Sequence, residues 1–428
     1  MKRVLIISPY FPPTNAADMQ RVRMSLPYFK EFGWEAEVVT VDIRFSDMNT
    51  DPLLNQSIPA DIPIHYVNAL PKKWTSKLGL GSIAIRSLPF YMKKVNRLLK
   101  RKRFDLIYFS TTQFPVCVLG AYWNKKFNVP YVIDMQDPWH SEYYEENPGE
   151  PRPAKYWFSY RLNKKLEPIA MKKAGGLIAV SEGYLQTLAG RYPNCRQIPT
   201  QTITFGAFQP DFAIAEKNVT LQPSFLSSQH GKANIVYIGR GGKDMEKAVS
   251  HLFHAFKLGL EEHPSCFQKI HFYFIGTSYA ASGLGIPTIY PLAEQAGIEN
   301  FVTEITDRIP FYQTLNTLAD ASALFIPGST DPQYTASKIY PYVMVKKPLL
   351  AFFHPSSSVV PFLRDVGIGT VLTFDQNPKE IEQKMVTFMM KVAEGRLPAE
   401  MPNAGVMERY SAKSMTKRQC ELFQAVIK

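Results

Sequence analysis

The sequence predicts an α/β protein of two domains, each built on a mostly parallel β-sheet covered by helices on both faces. Three observations lead there. The first half alternates short apolar runs with segments of helical period, the pattern of buried strands joined by crossover helices. The same alternation begins again at ANIVYIG, after a stretch rich in proline, serine and glutamine. A chain of 428 residues is also long enough for two domains of ordinary size, each with its own core.

In chain order, the first strand is VLIIS (4–8). The apolar run in MKRVLIISPYF is too short for a signal peptide, and the longest run elsewhere, Val116–Trp123, is less than half of a membrane span. A cytoplasmic protein is expected. Cys117, Cys195, Cys266 and Cys420 have no CxxC spacing and fit reduced thiols, not a disulfide or zinc framework. A hydrophobic fraction of 45% with 20% charged residues excludes global disorder.

The segment after the first strand, SPYFPPTNAADMQRVR, lacks the glycines of a dinucleotide fingerprint, which argues against a Rossmann dehydrogenase. Its Arg21 reads either as a helix-surface arginine or as a phosphate or acceptor contact. EVVTV (37–41) follows, then an irregular excursion over 43–69 that ends in PIHYV (63–67). DLIYFS (105–110), PYVIDM (130–135) and GLIAVS (176–181) complete the first series.

The net charge of +12 sits almost entirely in this half, with 28 basic against 17 acidic residues up to Pro210. Lys72–Arg103 alone holds eleven basic residues and no acidic one. From Leu88 onward, Leu88, Tyr91, Val95, Leu98 and Leu99 recur at helical spacing, with Lys93, Lys94, Arg97, Lys100 and Arg101 on the other side. This is the solvated face of a sheet-covering helix or an element for an anionic surface. A membrane suits the apolar Trp74, Leu78, Leu80, Ile83 and Ile85 just upstream; nucleic acid is not expected, because no aromatic-basic interleaving is present to stack bases.

In YVIDMQDPWH (131–140), Asp137 falls at the carboxyl edge of the sheet, where open α/β sheets bind ligands. It reads as an Asx-Pro turn or as a ligand group, with Gln136 and His140 beside it. Residues 209–232 are the expected linker. In the second series, Gly239, Gly241 and Gly242 let the backbone approach a ligand, Arg240 and Lys243 add charge, and a helix from about Asp244 points its N-terminus at the loop. HFYFIGT (271–277), ENFVTEI (299–305) and ALFIPGS (323–329) continue the strands. Ser329, Thr330, Asp331 and Pro332 form a loop, and a helix over Ser337–Val345 ends before Pro348. Lys338 in its first turn opposes the helix dipole, so it is either a solvated lysine or shares its site with an anion.

Five ordered segments carry a resemblance that spans nearly the whole chain. TASKIYPYVMVKKPLLA resembles TxGKxxEYLxxxKPIL of the retaining GT-B glycosyltransferases of family 4. YVIDMQDPWH is similar to WVADFRDPW of a subset of them. The first loop, VSEGYLQT (180–187) and the Gly239–Lys243 loop match further family segments in the same order. Three positions depart from the pattern: Gln333 and Pro341 replace the two carboxylates of Glu-x7-Glu, and Gln136 replaces a histidine.

The resemblance implies the GT-B architecture, two Rossmann-like domains with parallel sheets facing across a cleft. The domains would be 1–208 for the acceptor and 233–405 for the donor, with a closing helix within 406–428 that crosses back to the first. It implies transfer of a sugar, with retention, from a nucleotide-sugar donor to a glycan or lipid-linked acceptor in surface polysaccharide biosynthesis. Donor contacts fall on Gly239, Arg240, Gly241, Gly242, Lys243, Gln333, Tyr334, Ser337 and Lys338, and acceptor-side contacts on Arg21, Gln136, Asp137 and His140. Asp137, Arg240 and Lys338 are the catalytic candidates. No cofactor is expected, since the nucleotide sugar is a substrate, and no metal, since the chain has no Asp-x-Asp. The expected location is cytoplasmic, peripheral on the inner face of the membrane. The rival reading is a non-catalytic nucleotide-sugar-binding or scaffolding protein of the same fold.

Overall fold

A strand covered on both faces must send apolar side chains both ways, and β1 (Lys2–Ile7) does so. Leu5 and Ile7 enter one core while Val4 and Ile6 enter the other. The computed structural model describes all residues except 147–151, 153–155, 227–231, 281, 332–333 and 335–337. The chain divides into two units, Met1–Phe208 with Tyr410–Lys428, and Gln209–Arg409.

In the first unit, β1, β2 (Trp34–Val41), β3 (Ile64–Val67), β4 (Leu106–Ser110), β5 (Tyr131–Met135), β6 (Gly176–Ala179) and β7 (Thr200–Thr202) form one sheet in the order β3-β2-β1-β4-β5-β6-β7. Every pairing is parallel. The strand order reverses between β1 and β4, and the loops after them meet at the carboxyl edge. The helix Ile83–Arg101 buries Tyr91, Val95 and Leu98 in one core. On the other face lies the helix Ala412–Val426 from the end of the chain, whose Phe423 stacks on Phe29 and meets Trp34 edge-on.

The second unit repeats the plan. Strands β8 (Ala233–Ile238), β9 (Ile270–Ile275), β10 (Val302–Ile305), β11 (Ala323–Pro327), β12 (Leu349–Phe353) and β13 (Thr370–Thr373) pair in parallel in the order β10-β9-β8-β11-β12-β13. Its reversal lies between β8 and β11.

Two expectations are corrected here. Residues 209–232 are not a bare linker: they open with the helix Pro210–Lys217 and belong to the second unit, where buried Asp211 accepts a hydrogen bond from Tyr312 Oη at 3.2 Å. The stretch Lys72–Arg103 is also less free than its composition implies. Buried Arg86 donates to the carbonyls of Gly81, Leu70 and Phe45, Lys72 and Lys102 pair with Asp47 and Glu37 from other segments, and Arg103 pairs with Asp105 two residues on. Ile83, expected near the surface, is in the core. Lys73, Lys77, Lys93, Lys94, Arg97, Lys100 and Arg101 form no ion pair among the described residues, and Trp74 is 75% exposed. No helix among the described residues is long and apolar enough to cross a membrane.

Candidate functional site

At the carboxyl edge of the second sheet, the loop after β8 is held by its neighbours. Gly239 N–H donates to the Ile275 carbonyl and Gly241 N–H to the Thr277 carbonyl, both at 2.8 Å, which continues the pairing with β9 past the strand ends. Gly242 adopts φ +141°, a conformation that side chains disfavour, and the chain then enters a short 3₁₀ turn and the helix Glu246–Glu262. The loop after β11 is tied to the same place, because Thr330 N–H donates to the Asp244 carbonyl at 2.9 Å.

Arg240 is not a bare cation. Its guanidinium grips the Asp244 carboxylate through two bonds of 2.9 and 2.7 Å and lies over the Tyr334 ring, 4.8 Å from its centre. Burial alone would raise the Asp244 carboxyl, but the hydrogen bonds from Arg240 and Ser329 outweigh it and hold the group low. Asp244 is a functional candidate that pattern reading missed, though its i,i+4 spacing from Arg240 was a visible signal.

Lys338 is placed differently. It is the N-cap residue of the six-residue helix Ile339–Met344, not a member of its first turn, so the helix-dipole argument for it lapses. What sets it apart is a partly buried seat against β8. Its Nζ lies 3.5 Å from the Tyr237 hydroxyl and 5.2 Å from the centre of that ring, pressed against Gly239, where a Cβ would collide with it. Among the described residues it has no carboxylate partner. Burial first, then the positive charges of Arg240 and Arg308, lower its pKa from 10.5 to about 7. Arg308 itself is stacked on the exposed Tyr279, 4.2 Å from the ring centre. Three cations thus share one edge with Asp244 as the carboxylate bonded to one of them, a balance that favours a polyanion.

The structure therefore brings Gly239, Arg240, Gly241, Gly242, Tyr334 and Lys338 to one edge. Lys243 is on the same loop but exposed, and Gln333 and Ser337 lie outside the described residues. Pro341 sits within the helix after Lys338, and the next residue, Tyr342, accepts from the Ile238 N–H at 2.7 Å, which locks that helix to β8.

In the first unit, Arg21 is corrected from a ligand contact to a core residue. It is fully buried, paired through Nε with Asp134 at 2.7 Å, bonded to the Ile203 and Thr204 carbonyls, and stacked on Phe205. Gln136 is also internal. The two N–H groups of its amide are shared among the Asp18 carbonyl, Ser110 Oγ and Asp134, and the side chain is buried away from an acceptor. His140 is buried against Tyr160, 5.0 Å between ring centres, and burial followed by the charge of Arg191 lowers its pKa, so it is a neutral packing residue at neutral pH.

Asp137 remains available. It is on an exposed turn, and among the described residues its carboxylate has no hydrogen-bond or ion-pair partner. Crowding by the surrounding protein, then the charge of Asp18, raises its carboxyl above the usual aspartate value. Asp18, unnoticed in the sequence, is buried, and its carboxylate accepts from Thr111 Oγ1 and Thr112 N–H at the same sheet edge.

No protein-family model matches the chain, and no curated protein does. Solved structures match over nearly its whole length. Anabaena Alr3699/HepE, crystallised with UDP, is 17% identical over 98% of this chain and 99% of its own, with a TM-score of 0.57. WaaG, a glycosyltransferase involved in lipopolysaccharide biosynthesis, is 14% identical over 98% and 99%, with a TM-score of 0.54. A UDP-forming trehalose-phosphate synthase from Burkholderia xenovorans is 12% identical over 100% of both chains, with a TM-score of 0.57. At such identities the likeness is one of fold, and that fold, a seven-stranded and a six-stranded parallel sheet each flanked by helices, is GT-B.

Proposed function

We propose that this chain is a retaining glycosyltransferase of the family 4 type that takes a sugar from a nucleotide-sugar donor and passes it to a glycan or lipid-linked acceptor. The observation that carries the reading is Lys338: a partly buried ammonium with no carboxylate partner among the described residues, beside Arg240 and Arg308, at the reversal point of a parallel sheet. A diphosphate brings the counter-charge that Lys338 and Arg308 lack among the described residues. As the donor bond breaks, charge grows on the leaving diphosphate, and fixed cations in a partly dry site stabilise it. Support from the comparisons lies in HepE, which was crystallised with UDP and with UDP-glucose.

Asp137 would contact the transferred sugar or the acceptor hydroxyl. The seven unpaired cations of Lys72–Arg103 suit an anionic membrane surface, which fits a peripheral protein on its inner face and a role in surface polysaccharide biosynthesis. Pro341, standing where the family carries a glutamate, favours a second reading, a nucleotide-sugar-binding protein without turnover. Calorimetric titration with a panel of nucleotide sugars that includes UDP-glucose, followed by a turnover assay with membrane-extracted acceptors, separates the two. No binding of any nucleotide sugar overturns both, and binding without turnover favours the second.

A further inference from the structure

Beside Asp137 the first unit has a cavity of about 360 Å³, at the small end of ligand pockets, which span roughly 300–1,000 Å³. Its apolar walls are Ile85, Phe114, Pro115, Trp139, Phe158 and Leu162, and Ser82, Thr112, Gln113, Asp137, Ser159 and Asn163 add polar atoms. Most of these polar groups are already engaged by the protein. Trp139 Nε1 donates to Asn163, the Ser82 hydroxyl donates to Gln113, Ser159 donates to the Tyr156 carbonyl, and Thr112 N–H donates to Asp18. Among the described residues, the Asp137 carboxylate and the side-chain amide nitrogens of Gln113 and Asn163 are the polar groups of this wall left open to a ligand. A sugar, with a hydroxyl on nearly every carbon, would find few partners here, whereas a hydrocarbon chain needs none.

The surroundings of the cavity fit a chain delivered by a bilayer. Gly79, at φ +76°, brings the segment that follows Trp74 onto Phe158; a Cβ there would lie 3.1 Å from that ring. Trp74 and Trp157 belong to these two touching segments and are 75% and 63% exposed, large apolar rings with a polar nitrogen, the chemistry of the membrane interface. Lys73 and Lys77 lie on the same segment as Trp74, and Arg161 lies over the Trp157 ring.

We propose that this cavity receives the hydrocarbon part of a lipid-linked acceptor taken from an anionic bilayer, with Trp74 and Trp157 seated in the interface and Asp137 at the polar end of the chain. The assignment of that ligand as an acceptor rests on the glycosyltransferase reading; the cavity's taste for a hydrocarbon chain does not.

The test uses the full chain and two probes. Dodecyl phosphate below its micellar concentration is titrated into the wild type and into Ser159→Trp, which fills the cavity from its exposed wall. The expected result is binding by the wild type that weakens at least tenfold in the variant, with UDP affinity unchanged. In a Trp74→Phe/Trp157→Phe double variant, whose cavity is native, dodecyl phosphate brominated on its chain should quench Trp139. Vesicles of phosphatidylglycerol and phosphatidylcholine with brominated chains should quench the wild type and much less the double variant. Absence of dodecyl phosphate binding, binding indifferent to Ser159→Trp, or Trp139 left unquenched overturns the cavity assignment, and no quenching by vesicles overturns the bilayer source. Either failure leaves UDP binding, and with it the donor reading, standing.

Discussion

The Lys338 ammonium rests 3.5 Å from the Tyr237 hydroxyl with Arg240 and Arg308 as its charged neighbours, a cation stored among cations. Burial and repulsion bring its pKa to about 7, so in the free protein near neutrality a large share of Lys338 is uncharged. A bound diphosphate favours the charged form and returns the pKa toward 10.5. Below pH 7 the lysine is charged with or without ligand. Above it, binding must take up a proton, and affinity for UDP falls by up to roughly tenfold per pH unit. The window from pH 7 to 9 is clean because a terminal phosphate loses its second proton near pH 6, at about the lower limit. Calorimetry in two buffers of different ionisation enthalpy should show proton uptake at pH 8 that vanishes in Lys338→Ala; equal heats in both buffers would remove Lys338 from the donor site.

The same shift makes Lys338 costly to the fold. In the unfolded chain it holds its proton up to 10.5, and in the folded chain only to about 7, so between these values the unfolded state binds more protons and stability rises with pH. Below pH 7 the whole cost remains. Lys338→Met should therefore stabilise the ligand-free protein at neutral pH by about 1–2 kcal/mol, with the unfolding midpoint up by roughly 2–4 °C per kcal/mol, while abolishing the gain that UDP confers on the wild type. A lower midpoint in the variant would contradict this account.

Arg240 and Asp244 make a coupled pair, so their single and double variants should not add. Arg240→Ala removes a cation and leaves a carboxylate facing the anion, and UDP affinity should fall about ten- to a hundredfold. Arg240→Ala/Asp244→Ala removes the carboxylate as well and should recover part of that loss. A double variant that binds more weakly than Arg240→Ala would show that Asp244 supports the site in some other way. Lys243, exposed on the same loop, should change affinity by no more than about twofold when replaced by alanine.

How far the sequence alone reached follows from which of these features are local. Runs such as VLIIS and HFYFIG declare themselves because strands covered on both faces admit little polarity. TQT of β7 and TVLT of β13 do not, since short, partly exposed strands carry no such run. Arg21 was misplaced because its partner Asp134 is far along the chain, and no periodicity reports a buried ion pair between distant segments. Of the eleven charges of Lys72–Arg103, Lys72, Arg86 and Lys102 likewise meet partners from distant segments, Asp47 and Glu37, whereas Arg103 pairs locally with Asp105. Lys338 was singled out through a helix dipole that a six-residue helix hardly supplies, whereas its partly buried seat against Tyr237 and Gly239 depends on β8, a hundred residues upstream.

Asp137 provides the remaining test, because it alone of the acceptor-side candidates stays open to a ligand. Arg21, Gln136 and His140 are all committed to the interior, so their replacement should act through stability. Asp137 is exposed, and Asp137→Asn should leave the unfolding midpoint and UDP affinity nearly unchanged while turnover drops about ten- to a hundredfold, the worth of one charge-assisted hydrogen bond made to the acceptor or the moving sugar. The pH profile sharpens the assignment. Crowding and the Asp18 charge raise the Asp137 carboxyl, so wild-type turnover should fall in acid at a pH above the ordinary aspartate range, and that limb should be absent from Asp137→Asn. If the variant keeps full turnover, or loses UDP affinity in step with turnover, Asp137 does not contact the acceptor side.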